Sequence, residues 1–167
     1  MKQKLALCCA LIHKPDVLFL DEPTTGVDPV SRKEFWEMLK RLKQQHITIV
    51  VSTPYMDEAT LCDRIALMQN GNILSIDTPG NIIQSYPGNL YRIKSGKSYD
   101  LLKDLNRFQY TLSCFTFGEY LHLSLTNDDE QTKKALVTYL QNAGHHDIEL
   151  HPVTPSIEDC FIKLLKN

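Results

Sequence analysis

Between residues 17 and 29 the chain reads Val17-Leu18-Phe19-Leu20-Asp21-Glu22-Pro23-Thr24-Thr25-Gly26-Val27-Asp28-Pro29. Four bulky apolar residues run into two adjacent carboxylates and then into a turn rich in Pro, Thr and Gly. A continuous apolar run of this length is the pattern of a strand covered on both faces in a parallel sheet. The acid pair falls where that strand runs out. This places it at the carboxyl edge of the sheet, where open α/β sheets bind their ligands.

Working outward, residues 30–45 set Val30, Phe35, Met38, Leu39 and Leu42 on one stripe with charges opposite, an amphipathic helix. Ile47-Thr48-Ile49-Val50-Val51 follows as a second β-branched strand. Strand, helix, strand predicts a right-handed crossover and an α/β core. Upstream, residues 2–13 suit a largely apolar, buried helix that Lys14-Pro15 ends. Downstream come a short helix at 55–61, a strand at 64–68, an Asn70-Gly71 hairpin turn, a strand at 73–76, and a helix capped by Thr78-Pro79. Pro87-Gly88 breaks that helix and marks the expected domain boundary.

Beyond it the pattern changes. Strands are expected at 90–94, at Phe108-Tyr110-Leu112-Cys114, at Leu121-Leu123-Leu125 and at 148–150, with helices at 98–106 and at 128–143. The second helix turns Ala135, Leu136, Tyr139 and Leu140 inward and ends at Gly144. The order βαββαβ is that of a two-layer ferredoxin-like α+β domain. A last helix, 156–165, packs Ile157, Cys160, Phe161 and Leu164 on one face.

The 167 residues carry 18 Lys and Arg against 20 Asp and Glu, a net charge of -2. With a sequence pI near 6.3, this argues against a dedicated nucleic-acid binder, which carries a basic surplus. Five cysteines, Cys8, Cys9, Cys62, Cys114 and Cys160, form an odd set without a Cys-x-x-Cys pair. They suggest neither a disulfide framework nor a structural zinc site, and fit a reducing, cytoplasmic compartment. The basic start and short apolar run of residues 2–12 superficially resemble a signal peptide. However, Pro15-Asp16 stands where a cleavage site belongs, and the run falls short of the roughly 20 apolar residues that span a bilayer. No direct membrane insertion is expected.

Four apolar residues followed by Asp form a rigid strand that presents a carboxylate to Mg²⁺, usually through water because Mg²⁺ keeps much of its hydration shell. A second acid beside it can polarise a water for attack on a γ-phosphate, a reaction governed by positioning and charge neutralisation. The whole string from Val17 to Pro29 resembles the Walker B strand and D-loop of ABC-type ATPases, in which the acid pair is followed by Pro-Thr-x-Gly-x-Asp-Pro. The resemblance implies that Asp21 is the magnesium acid, Glu22 the general base, and Asp28 the D-loop acid that contacts a second nucleotide-binding domain across an ATP sandwich. Met1-Lys2-Gln3-Lys4-Leu5 is similar to the segment directly after the family's Leu-Ser-Gly-Gly signature, which adds Gln3 to the implied nucleotide-binding residues. Leu74 to Asp77 with Thr78-Pro79-Gly80 resembles the end of the nucleotide-binding domain.

Two departures limit the resemblance. The family's second strand ends in Ser-Thr-His, whereas this chain has Ser52-Thr53-Pro54. Proline offers neither a side-chain donor nor a backbone N–H to a γ-phosphate, so one contact is lost. No Gly-x-x-x-x-Gly-Lys-Ser/Thr run occurs either. Ser95-Gly96-Lys97-Ser98 ends like one, but Tyr91 stands where the first glycine should be and the order is wrong. Ser98 is better explained as a helix N-cap. His145, His146, His151 and Cys160 make a weak metal candidate; a solvated loop suits the histidine pair better. Phe35 and Trp36 are assigned to core packing.

These features predict a partial P-loop NTPase sheet of the ABC type with flanking helices over residues 1–88, comprising Walker B, the D-loop and a degenerate H-loop. Residues 89–167 are expected to form a ferredoxin-like accessory domain. Pro155-Ser156-Ile157-Glu158-Asp159-Cys160-Phe161 resembles a motif near the end of drug- and antibiotic-export ABC ATPases. The family implies ATP and Mg²⁺, both only with the missing first half, a transmembrane permease subunit and a second nucleotide-binding domain as partners, and a place at the inner face of the cell membrane. The alternative is a non-catalytic module that docks on a transporter partner. Part of the apolar surface, at residues 2–13 and 17–20, is expected to be exposed.

Overall fold

The computed structural model describes residues 2–96 and 98–165, with the side chains of Lys2 and Ser98 outside the described residues. Lys97 and the Ser98 cap therefore lie outside it. The chain divides into two compact units, Met1–Ile65 and Ala66–Asn167.

In the first unit, α1 (Lys2–Leu11) leads to β1 (Val17–Asp21), α2 (Pro29–Gln44), β2 (Thr48–Ser52) and the short α3 (Met56–Ala59). β1 and β2 pair in parallel, with Leu18 opposite Ile49 and Asp21 opposite Ser52. Leu7 of α1, Leu18 of β1, and Phe35 and Leu39 of α2 form one buried cluster, flanked by half-buried Leu11, Leu20, Trp36, Ile49 and Val51. Both helices thus contribute to the cluster that holds Leu18.

The apolar run of β1 has the pattern of a strand covered on both faces, yet one face is open among the described residues, as expected of the apolar surface at residues 17–20. Val17 is 45% and Phe19 75% exposed, and Val50, opposite Phe19, is 47% exposed. Nor is α1 buried all round. Leu7 is buried, whereas Leu5, Cys8, Cys9 and Ile12 face solvent.

β3 (Ile65–Gln69) and β4 (Asn72–Asp77) pair across the Asn70-Gly71 turn, and α4 (Pro79–Gln84) follows. Both turn residues have positive φ, 50° and 77°, as a two-residue hairpin of this kind demands. Thr78 caps α4 by accepting from the Asn81 N–H, with Pro79 at its first position. Pro87-Gly88 is a turn, yet the compact unit begins earlier than that break. The reason is that α4 packs on the last helix, α7 (Ile157–Leu164): Ile82 is buried, and its carbonyl lies 3.4 Å from the Cys160 thiol.

The remaining elements are β5 (Leu90–Lys94), α5 (Ser98–Arg107), β6 (Thr111–Phe117), β7 (Tyr120–Leu125), α6 (Glu130–Asn142) and β8 (Glu149–Val153). They form one antiparallel sheet in the order β6-β7-β5-β8. Tyr91 and Ile93, Leu101 and Leu105, Leu121, Leu123 and Leu125, and Leu136 and Leu140 make a single core between sheet and helices. Phe108 belongs to that core and closes α5; it does not start β6, which begins at Thr111. On α6 the buried positions are Thr132, Leu136 and Leu140, four residues apart, and Ala135, expected to turn inward, is exposed because it lies off that stripe.

The opposite face of β7 is buried as well. His122 Nδ1 lies 2.6 Å from Asp159 Oδ1 of α7, and its ring stacks on Phe117 at 4.2 Å. Asp159 also accepts from the Ser156 N–H at 2.7 Å and the Ser156 hydroxyl at 2.6 Å, and its own N–H donates to Ser156 Oγ at 3.2 Å, which with the first bond makes a capping box. The 155–161 motif is therefore the clasp that fastens α7 to the sheet.

His145 is buried too, not part of a solvated loop. Its ring nitrogens meet Ser95 Oγ at 3.1 Å and Asp104 Oδ2 at 3.0 Å. No group of three or more metal-ligating side chains occurs among the described residues.

Removing one partner of a buried hydrogen-bonded pair leaves the other uncompensated. Asp159→Ala is expected to cost about 3 kcal/mol, measured by urea denaturation followed by circular dichroism. Burial, with the charge of Asp159 beside it, pushes the Cys160 thiol up to about 11. Exposed Cys8 and Cys9 should react with a disulfide reagent at pH 7.5 while Cys160 reacts only on unfolding, as peptide mass mapping would show.

Candidate functional site

The acid pair is set by the end of the parallel ladder. Asp21 is the last residue of β1 and lies opposite Ser52, the last of β2. The Ser52 hydroxyl donates to Asp21 Oδ1 at 2.5 Å and accepts from the Glu22 N–H at 2.9 Å. The Glu22 N–H also points to the Ser52 carbonyl at 3.1 Å. One serine thus ties the backbone of one acid and the side chain of the other.

Glu22 has φ 42°, a conformation uncommon for a side-chain-bearing residue and found where the surroundings impose it, functional sites included. It turns the chain sharply out of the strand. The Thr25 hydroxyl then donates to Glu22 Oε2 at 3.0 Å, and the Thr25 N–H closes the turn on the Glu22 carbonyl at 3.1 Å. Both acids remain exposed, so the strand end presents two carboxylates to solvent.

Asp28 serves first as the N-cap of α2. Its Oδ1 accepts from the Val30 and Ser31 N–H groups at 3.1 and 3.0 Å, with Pro29 at the first helical position. The bonds from Ser31 hold its carboxyl below the ordinary value of 3.8. Gln3 of α1 lines, with Pro23, Val27, Ser31 and Phe35, a small cavity of about 20 Å³ beside the same turn.

Pro54 lies exposed just beyond β2. The structure brings Asp21, Glu22, Thr25 and Ser52 together and places Asp28 one short turn away at the start of α2.

Sequence reasoning missed the parts played by Ser52, Thr24 and Glu58. The signal for Ser52 was available in the two strands, since equal lengths in parallel set it opposite Asp21. Thr24 and Glu58 are each 1% exposed. The Thr24 hydroxyl donates to Glu58 Oε2 at 2.9 Å, and the Thr53 hydroxyl to the same oxygen at 2.6 Å.

A strand-end acid pair, a glycine-containing turn and an aspartate-capped helix thus follow one another between β1 and α2. No protein-family model matches the chain. Relatives do: the Nod factor export ATP-binding protein I of Rhizobium sp. (strain N33) is 34% identical over 166 residues, 98% of this chain and 52% of the relative. The probable multidrug ABC transporter ATP-binding protein YbhF of Escherichia coli (strain K12) is 49% identical over 81 residues, 48% of this chain and 14% of its own length. The daunorubicin/doxorubicin resistance ATP-binding protein DrrA of Streptomyces peucetius is 38% identical over 95 residues, 56% of this chain and 29% of the relative. Along nearly its whole length the chain is similar to ATP-binding proteins of ABC transporters. It spans about half the length of the Nod factor export proteins it matches from end to end.

A carboxylate whose pKa is lowered by folding contributes stability that is complete above its unfolded value and is lost as pH falls through its folded one. Asp28→Asn, which keeps a cap but not the charge, is therefore expected to shallow the loss of stability below pH 4. Thermal unfolding from pH 2 to 6 measures it.

Proposed function

We propose that these residues form the Walker B and D-loop part of the ATP-hydrolysing subunit of an ABC-type exporter. The observation that carries this is the acid pair held at the end of β1 by Ser52, with both carboxylates open to solvent. The donor set suits Mg²⁺, a hard cation bound by one or two carboxylates together with phosphates and water. Asp21 would hold it, and when bound it would neutralise charge on the phosphates of ATP.

Glu22 takes the general-base role, accepting a hydrogen bond from the attacking water. Thr25 holds one of its oxygens, which narrows the directions the carboxylate can take. Asp28 at the start of α2 is assigned to a second nucleotide-binding domain, and Gln3, at the cavity beside the turn, to the nucleotide. Pro54 supplies no donor to a γ-phosphate, which points to slow turnover. None of the 167 residues forms a Gly-x-x-x-x-Gly-Lys-Ser/Thr loop, so this chain alone has no cradle of N–H groups for phosphates.

The accessory unit is read as ferredoxin-like, supported by the βαββαβ order of β5 to β8 and the antiparallel sheet order β6-β7-β5-β8. Partners under this reading are a transmembrane permease subunit and a second nucleotide-binding domain, at the cytoplasmic face of a membrane. No helix among the described residues is long and apolar enough to cross a membrane. Pro54 also supports the second reading, a non-catalytic module docked on a transporter.

By itself the 167-residue protein is expected to show neither ATP turnover nor an ATP-dependent thermal shift. Joined to the half of the Rhizobium relative that it does not span, it should hydrolyse Mg-ATP, and Glu22→Gln should lower kcat about a hundredfold or more. Phosphate release assays check both. Turnover by the chain alone, or turnover in the joined protein indifferent to Glu22, would overturn the proposal.

A further inference from the structure

Glu58 lies in the first turn of α3, only four residues long, where an acid suits the helix start without any need of burial. It is nevertheless 1% exposed, and burying a carboxylate is costly unless its oxygens are satisfied. Its partners come from three separate stretches of the first unit, with hydrogen bonds to one oxygen and an ion pair at the other, which accepts no hydrogen bond. Thr24, two residues after Glu22, and Thr53, immediately before Pro54, donate to one oxygen at 2.9 and 2.6 Å. Arg32 of α2 sets its Nε 3.5 Å from the other.

Each of these partners is tied in turn to the site. The Thr24 carbonyl accepts from the Val27 N–H at 3.1 Å, which shapes the turn running to Asp28. The Arg32 N–H donates to the Asp28 carbonyl at 2.9 Å, so Arg32 rides on the cap of its own helix. Its guanidinium lies 4.0 Å from the centre of the Tyr55 ring and 3.7 Å from Asp57 Oδ2. The Thr53 hydroxyl accepts from the Tyr55 N–H at 3.1 Å and so bridges Pro54 from one side to the other. One carboxylate therefore joins the turn after the acid pair, the loop bearing Pro54 and the start of α2.

We propose that Glu58 is a positioning residue whose buried carboxylate clamps the Pro23–Val27 turn to the Thr53–Tyr55 loop and thereby holds Glu22 and Asp28 in place. The chemistry it serves rests on the function proposed above, but the clamp itself does not. With proline at position 54 the loop has no histidine to anchor it to a nucleotide, so Thr53 and Tyr55 are its hold on the rest of the site. A shift at either end of the clamp is then felt at the other, because both threonines share a single oxygen.

Amide hydrogen exchange on the 167-residue protein tests the clamp without any turnover. Glu58→Gln puts an amide donor against Arg32. Thr24→Val with Thr53→Val removes both hydroxyls at nearly constant volume and covers the case in which Glu58→Gln does not fold. Expected is exchange faster by about tenfold or more at the Thr25, Val27 and Tyr55 amides, with β1 and β2 amides unchanged and normal rates restored by Thr24→Ser with Thr53→Ser. Unchanged exchange at those three amides, or an equal rise throughout the first unit, would overturn the clamp.

In the joined protein, the valine pair should lower kcat about tenfold while KM is kept, and a wild-type kcat would sink the positioning role. If Glu22→Gln leaves turnover untouched, the function proposed for the acid pair fails, while the exchange experiment still decides the clamp.

Discussion

The register of β1 against β2 is the constraint on which the first unit depends. In parallel pairing Leu18 meets Ile49 and Asp21 meets Ser52. A slip of one residue would turn Leu18 out of its cluster and Asp21 to the other face, since side chains alternate with a period of two. Because Leu18 is locked among Leu7, Phe35 and Leu39, the strand end is locked with it. Core packing thereby sets the position of two carboxylates that take no part in the core. Ser52 completes the arrangement by bonding to both acids.

Each unit also contains one carboxylate buried almost completely, and the two are handled alike. Glu58 is met by two threonine hydroxyls and an arginine, Asp159 by a serine, its N–H and a histidine. Both lie near the start of a helix and connect segments far apart in sequence. A buried carboxylate draws several partners at once, so it specifies where those segments sit more sharply than an apolar contact of the same area does. Asp159 fastens a helix to a sheet, whereas Glu58 connects two loops that flank the acid pair at the end of β1.

Much of this was legible in residue order. The Asn70-Gly71 turn and the Thr78-Pro79 cap are local signals that the structure realises, and the periodicity of α2 holds at Phe35, Met38, Leu39 and Leu42 but not at Val30, which is 70% exposed. Val17 to Pro29 announces its acid pair because the same string specifies strand, carboxylates and turn together. The errors share a cause. Phe108 was read as the start of a strand because it alternates with Tyr110 and Leu112, but the core beneath α5 claims it. Ala135 lies off the stripe of Thr132, Leu136 and Leu140 that the sheet buries, and His145 is buried by partners 41 and 50 positions away. The bilateral covering read into Val17 to Leu20 fails at Phe19 and Val50, whose exposed face no packing within these residues supplies.

What residue order settled by itself is the acid pair, the turn that follows it, the proline at position 54, and the succession of strands and helices. All of these rest on local backbone preference and on hydrophobic period, which act between near neighbours. What only the tertiary structure decided is which polar groups meet: Ser52 with Asp21, Thr24 and Thr53 with Glu58, His122 with Asp159. Ser52 with Asp21, Thr24 with Glu58 and His122 with Asp159 lie 31, 34 and 37 positions apart, and Thr53 with Glu58 five. Burial leaves Glu58 and Asp159 no water to turn to, whereas exposed Asp21 meets Ser52 through the strand register; in each case only the folded chain determines which partner will be there.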